Sequence, residues 1–333
     1  MKTSTILIQN LCVPCNCHCR YCLLSWSNKL LGIDYERSEA YAKKFNEWIK
    51  ENRPELDFSF YFGYSMEHPN LLQAIDFFRS IGSVNGSMLQ FDGMRFRGRE
   101  EIVELLSGIK AHGVEHLNFT FYGTREYHDK FAGRRGDFEF MIQVIEEAHK
   151  LDMEVSVGIP ITHENALQIE ELLDIFDEYH IAKRTIFVPH EEGRGVSLNA
   201  VRFREEDFNQ LSDRAKAYFN TRIYKKECEW ISEKAFKTTE NRALLLSLTP
   251  ENIEMFENMS FEDTIAYLEK LDDEYYSAIP SLEELVELYG NADGKEYYQQ
   301  RDLFHHYQRM YIKEHNLTIY DVTDERQCGS RRF

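Results

Sequence analysis

The sequence predicts an α/β fold: a (β/α)6 partial TIM barrel with a mostly helical C-terminal extension. Three observations predict it. Strand-like apolar runs alternate six times with amphipathic, helix-like stretches. The strands carry their polar residues on one face only. The alternation then stops after Ile231.

The candidate strands are Thr3–Asn10, Leu56–Phe62, Ser87–Asp92, His116–Tyr122, Glu154–Thr162 and Arg184–His190. Between or after them, helical spacing of apolar residues marks Tyr35–Asn52, Leu71–Ile81, Arg99–His112, Phe138–Leu151, Ala166–Tyr179 and Glu205–Tyr218. Such units build a parallel sheet, and right-handed crossovers curl it into a barrel or part of one. In the fourth strand Asn118, Thr120 and Tyr122 share one face, and Leu117, Phe119 and Phe121 the other. Asp57, Ser59 and Tyr61 oppose Phe58, Phe60 and Phe62 in the same way, as do Glu154 and Ser156 against Val155, Val157, Ile159 and Ile161. A closed barrel fills its interior with branched aliphatics. Here the inner face is polar, so an open barrel lining a wet cavity is expected. Residues 1–231 form the barrel unit. Residues 232–333 form a helical cap, with helices expected around Thr239–Leu248, Pro250–Glu257, Phe261–Tyr276, Leu282–Tyr289 and Lys295–Glu314, and a short strand at Leu317–Tyr320.

Composition narrows the function. The chain has 333 residues, 43% hydrophobic and 29% charged, which is ordinary for a globular protein. Its net charge of −18 repels phosphate backbones, so nucleic acid is not an expected partner. No apolar run approaches the ~18 residues of a membrane span, and the N-terminus has no cleavable apolar core. No membrane association and a cytoplasmic location are expected.

The seven cysteines are unevenly placed: Cys12, Cys15, Cys17, Cys19 and Cys22 crowd together, whereas Cys228 and Cys328 stand apart. Crowded thiols cannot staple distant loops, so a metal reading is favoured over disulfides. Taken alone, the stretch admits a zinc site or a closed ferredoxin-type cluster. It follows the first strand directly, however, and the active sites of such barrels lie at the C-terminal ends of the strands.

The spacing Cys15-x3-Cys19-x2-Cys22, with Tyr21 before the last cysteine, resembles the cluster loop of the radical S-adenosylmethionine (SAM) superfamily. The resemblance implies a [4Fe–4S] cluster held by Cys15, Cys19 and Cys22, with the fourth iron open to the amino and carboxylate groups of SAM. It implies reductive cleavage of SAM to methionine and a 5′-deoxyadenosyl radical that abstracts hydrogen from a substrate. Cys12 and Cys17 are read as non-ligands lying near the cluster. Where the superfamily has Gly-Gly-Glu after strand two, this chain has Phe62-Gly63-Tyr64. Gly63 and Tyr64 are therefore the expected backbone contacts to the SAM amino group. Gln90-Phe91-Asp92-Gly93 stands where Thr-Asn-Gly is common in the superfamily, and the segment from Gly123 through Gly133 and Gly136 is similar to the loop of peptide-modifying members.

By the same resemblance Tyr21 is expected against adenine, with Asn118 and Thr120 toward ribose. Arg134 and Arg135 are candidates for the SAM carboxylate. Gly193-x-Gly195 reads as a turn, and Asp272-Asp273-Glu274 as an acidic helix face. Only Cys228 and Cys328 follow Cys22, too few for the cysteine-rich extension that carries auxiliary clusters in peptide-modifying members, so no such extension and a single cluster are expected. Cys328 is a candidate catalytic hydrogen-atom donor. The substrate is expected to be a peptide, a protein or a small molecule, and the electron donor a flavodoxin or ferredoxin. The alternative of another class is a zinc-stabilised barrel acting as a binding module.

Overall fold

A computed structural model describes residues 2–22, 32–63, 65–233 and 241–319. Nine strands and thirteen α-helices occur among them. The barrel strands are β1 (Lys2–Val13), β2 (Asp57–Gly63), β3 (Met88–Gln90), β4 (His116–Thr120), β5 (Glu154–Pro160) and β6 (Lys183–Phe187). Their helices are α1 (Tyr35–Asn52), α2 (Leu71–Ser80), α3 (Arg99–Ala111), α4 (Arg125–Ala132), α5 (Asp137–Lys150) and α6 (Ile169–Glu178). Then follow α7 (Glu205–Gln210), α8 (Asp213–Lys216), β7 (Lys225–Lys226), α9 (Glu227–Glu233) and β8 (Asn241–Ser247). The remainder is α10 (Ile253–Glu257), α11 (Phe261–Ala278), α12 (Leu282–Tyr289), β9 (Tyr297–Tyr298) and α13 (Gln300–Glu314).

All barrel pairings are parallel. One sheet has the order β3-β4-β5-β6, and a second has the order β2-β1-β8. The outer faces are dry: Ile6, Ile8, Phe60, Phe62, Leu244 and Leu246 line one core, and Leu117, Phe119, Val155, Val157 and Ile186 line the other. Helix α2 joins the two cores. Its Leu71 and Ile75 enter the core of the four-stranded sheet, and its Ala74, Phe77 and Phe78 that of the three-stranded sheet. Residues three and four apart share a helix face, so one helix can serve both cores.

Three expectations are corrected. The segment around Thr239–Leu248 is not a helix: residues 241–247 form β8, paired with β1 through Ile6↔Leu244 and Ile8↔Leu246. Its Ala-Leu-Leu-Leu run favours helix by propensity, but burial against β1 decides. The predicted helix Glu205–Tyr218 is broken between α7 and α8, where Leu211 has extended backbone and Ser212 caps α8 by accepting from Ala215 N. Residues 317–319 are not a strand, and Tyr320 lies outside the described residues.

Helix α13 packs against the loop after β6. Its apolar side, Leu303 and Tyr307, packs with Trp230, Tyr275 and Tyr298. Its polar side meets the loop after β6: Asp302 with His190 (3.0 Å), His305 with Glu192 (2.8 Å), and His306 and Arg309 with Glu191 (2.9 and 3.2 Å).

Candidate functional site

The cysteine loop leaves β1 at Val13 and crosses the C-terminal ends of the strands. Loops from three other strands pin its backbone. Asn16 N donates to Gly93 O after β3 (2.7 Å). His18 N and Arg20 N donate to Ala132 O and Phe131 O after β4 (2.7 and 3.1 Å). Arg194 N, after β6, donates to Cys22 O (3.0 Å). Gly133 makes this approach possible. Its φ is +66°, and a Cβ there would stand 3.0 Å from that of His18.

This framework gathers four thiols. Cys15 and Cys17 are buried together, with Cys19 and Cys22 packed against them. Cys17 Sγ lies 3.6 Å from Asp137 Oδ2 and 3.9 Å from Arg134 Nη1. Hydrogen bonds from the Cys15 and Cys19 thiols, and then the Arg134 guanidinium, pull the Cys17 thiol well below its ordinary pKa. Cys12 stands apart on β1, with its thiol 3.7 Å from Phe62 O, and burial pushes it up to about 12. The expected triad Cys15, Cys19 and Cys22 thus shares one place at the mouth, with Cys17 beside it and Cys12 away from it.

Among the described residues no group of three or more His, Cys, Asp or Glu side chains is arranged to hold a single metal ion. Mononuclear zinc draws thiolates to about 2.3 Å from one point. A [4Fe–4S] cube is held by one thiolate per iron, so its ligands surround it. The donor set, soft thiols gathered on one pinned loop, fits the cube.

Tyr21 faces the same space. Its ring lies 5.5 Å from that of Tyr122, 6.1 Å from Phe131 and 6.4 Å from Phe187. Burial raises its pKa well above the ordinary value, and the Asp92 charge adds to this, while Thr120 works against the shift. Thr120 is buried and points inward as expected, with its backbone N–H donating to Asp92 Oδ1 (2.8 Å). Asn118 lies one step down the strand in a polar ladder: it donates to Gln90 Oε1 (2.6 Å) and accepts from Ser156 Oγ (2.7 Å).

Gly63 ends β2 beside the end of β1. Its φ is +92°, and a Cβ there would stand 2.6 Å from Val13 O. Glycine is therefore required by this strand packing itself. Arg134 pairs with Asp137 (3.2 Å), donates to Met94 O (2.6 Å) and covers the Phe96 ring. Those bonds hold it behind the cysteine loop. Asp272 is not part of a solvated acidic face: it is fully buried and pairs with Arg242 of β8 (2.9 Å). Tyr64 and Cys328 lie outside the described residues.

Two residues were not singled out from sequence. Asp92, just beyond β3, is buried on the inner side, and desolvation raises its pKa to about 7. Its sequence signal is an acid directly following an apolar strand. Tyr122, beyond the end of β4, donates its hydroxyl to Cys19 Sγ at 2.9 Å. Its signal is the alternation that already puts it on the face of Asn118 and Thr120.

Beside this site the inner face of β4, β5 and β6 opens into a cavity of about 570 Å³, lined by Asn118, Ser156, Gly158, Thr185, Phe187 and Tyr218 among others.

No curated protein sequence matches the chain. Among solved structures, Streptococcus suis SuiB bound to precursor peptide SuiA is similar, with a TM-score of 0.47 and 12% identity over 79% of this chain and 54% of that one. Coproporphyrinogen III oxidase (HemN) from Escherichia coli is similar with a TM-score of 0.41 and 11% identity over 74% of this chain and 64% of that one. The chain thus spans about half to two thirds of the length of these structures. The model of the Radical SAM superfamily matches residues 10–176, from the end of β1 into α6. That match takes in half of the chain, including the whole cysteine loop, and the chain belongs to the radical SAM superfamily.

Proposed function

We propose that the protein cleaves SAM reductively and abstracts hydrogen from one residue of a peptide or protein. Superfamily membership brings a [4Fe–4S] cluster and SAM as cofactors. When bound together, they supply a 5′-deoxyadenosyl radical. The observation that carries the reading is the pinned thiol group at the end of β1. Cys15, Cys19 and Cys22 would hold the cluster.

The chain's own residues orient the rest. Tyr21, walled by Phe131 and Phe187, offers an aromatic surface of the kind that suits a planar base. Thr120 and Asp92 offer a hydroxyl and a carboxylate beside it, suited to ribose hydroxyls. Gly63 presents backbone groups where β1 and β2 end together. The polar cavity along β4–β6 supports a substrate rich in amides, with room for one residue and open sides for the chain on either side of it. A small metabolite is the second reading, and the same cavity volume admits it. A flavodoxin or ferredoxin would supply the electron.

The test is anaerobic reconstitution. About four iron and four sulfide per chain are expected, with 5′-deoxyadenosine formed from SAM under reducing conditions. One zinc per chain and no SAM cleavage would favour the binding module instead. Single alanine substitutions at Cys15, Cys19 or Cys22 should abolish the cluster's visible absorbance. The Cys12→Ala variant should retain it.

A further inference from the structure

We propose that the Tyr122 hydroxyl is a fixed hydrogen-bond donor to the Cys19 ligand and makes the cluster easier to reduce. The inference rests on the reading of Cys19 as a cluster ligand.

Geometry comes first. Tyr122 is 3% exposed, and its Oη lies 2.9 Å from Cys19 Sγ. That separation is short for a donor to sulfur. A coordinating thiolate keeps lone pairs that are not used by iron, so the same bond is available in the loaded protein. The hydroxyl is also held in place. The Tyr122 ring is stacked with both His128 (5.0 Å between centroids) and Phe131 (4.6 Å). His128 is itself fully buried: its Nδ1 accepts from Tyr122 N (3.2 Å), and its Nε2 faces Asp137 Oδ2 (3.3 Å). The tyrosine therefore has its ring plane fixed by two neighbours and its backbone fixed by one of them. Phe131 also carries the carbonyl that pins Arg20 of the cysteine loop (3.1 Å), so ring and loop are positioned by one helix, α4.

The electrostatic consequence has a definite sign. Reduction places one more negative charge on the cluster and its sulfur ligands. A hydrogen bond to a ligand sulfur stabilises the more negative state more strongly, and this raises the reduction potential. A buried donor does so with little competition from water. The net acidity of the chain, −18, acts in the opposite direction. Tyr122 is thus a positioning residue: it acts through Cys19.

The test is the midpoint potential of the reconstituted cluster, read by redox titration with electron paramagnetic resonance detection in the full chain. Tyr122→Phe keeps the ring and both stacks and removes only the donor. It is expected to load iron and sulfide as the wild type does, and to shift the potential to a more negative value. An unchanged or more positive potential would overturn the inference. Should Tyr122→Phe not fold, 3-fluorotyrosine at position 122 serves instead. Its more acidic hydroxyl is a stronger donor, so the potential should shift to a more positive value, and no shift would overturn the inference. Cys19→Ala separates the two levels of the argument. Loss of the cluster in that variant upholds the ligand reading, whatever the potential does in Tyr122→Phe. A cluster that persists in Cys19→Ala removes the ligand and overturns the inference with it.

Discussion

Asp92 is the residue whose chemistry the fold changes most. Its carboxyl is buried beside Thr120 and Gln90, and its pKa rises to about 7, chiefly by desolvation. A raised carboxyl binds its proton more tightly in the folded than in the unfolded chain. Between the unfolded value near 3.8 and the folded value near 7, the folded state therefore holds more protons, and stability falls as pH rises. Asp92→Asn removes this dependence. In thermal melts of the cluster-free protein, the difference in Tm between Asp92→Asn and wild type should move in favour of the variant from pH 5 to pH 8. A pH-independent difference would show that the carboxyl is well solvated. Gly63 permits a second prediction. Because φ is +92° and Val13 O blocks a Cβ, Gly63→Ala should destabilise the cluster-free protein by about 1–3 kcal/mol in urea denaturation. Wild-type stability in that variant would mean that the strand ends are free to move apart.

These residues mark how far the sequence could be read. The gathering of Cys15, Cys17, Cys19 and Cys22 was legible because all four sit on one short loop. The inward face of β4 was legible because alternation is a strict consequence of strand geometry. The bond from Tyr122 to Cys19 joins residues 103 apart in sequence, and no local pattern encodes it. Asp92 carries the local signal of an acid after an apolar strand, but its bond to Thr120 of β4 joins residues 28 apart.

At the scale of elements, the loop after β6 and helix α13 form one unit. Glu191 is 1% exposed and contacts Arg202, His306 and Arg309. Burial alone would raise its pKa, but those three partners hold it down at about 2. Removing one member of such a buried group leaves the others uncompensated. Glu191→Ala should lower stability by about 3–5 kcal/mol in urea denaturation, through the uncompensated charge of Arg202, which is itself buried. A loss under about 1 kcal/mol, the range of an exposed pair, would show that α13 is not docked through these charges. Strand β8 shows where reading by element fails. Its apolar run has no period that separates a buried strand from a buried helix, and only the pairing with β1 resolves it. Sequence also gave no reason to bring a strand from the C-terminal third beside the first strand of the barrel.

At the scale of the molecule, the two sheets, the shared helix α2 and the pinned loop serve one arrangement. Apolar outer faces pack under helices, and polar inner faces are left to line the cavity and the mouth. Among the described residues no helix is long and apolar enough to cross a membrane. The central claim is that three thiolates leave one iron open to SAM at this mouth. It is tested most directly by pulsed paramagnetic resonance on the reduced, reconstituted protein with SAM labelled with 15N at its amino group. The account predicts that SAM changes the cluster spectrum and that the label couples to it, in a protein whose cluster is lost in Cys15→Ala, Cys19→Ala and Cys22→Ala. A spectrum indifferent to SAM, with no coupling to the label, would contradict it.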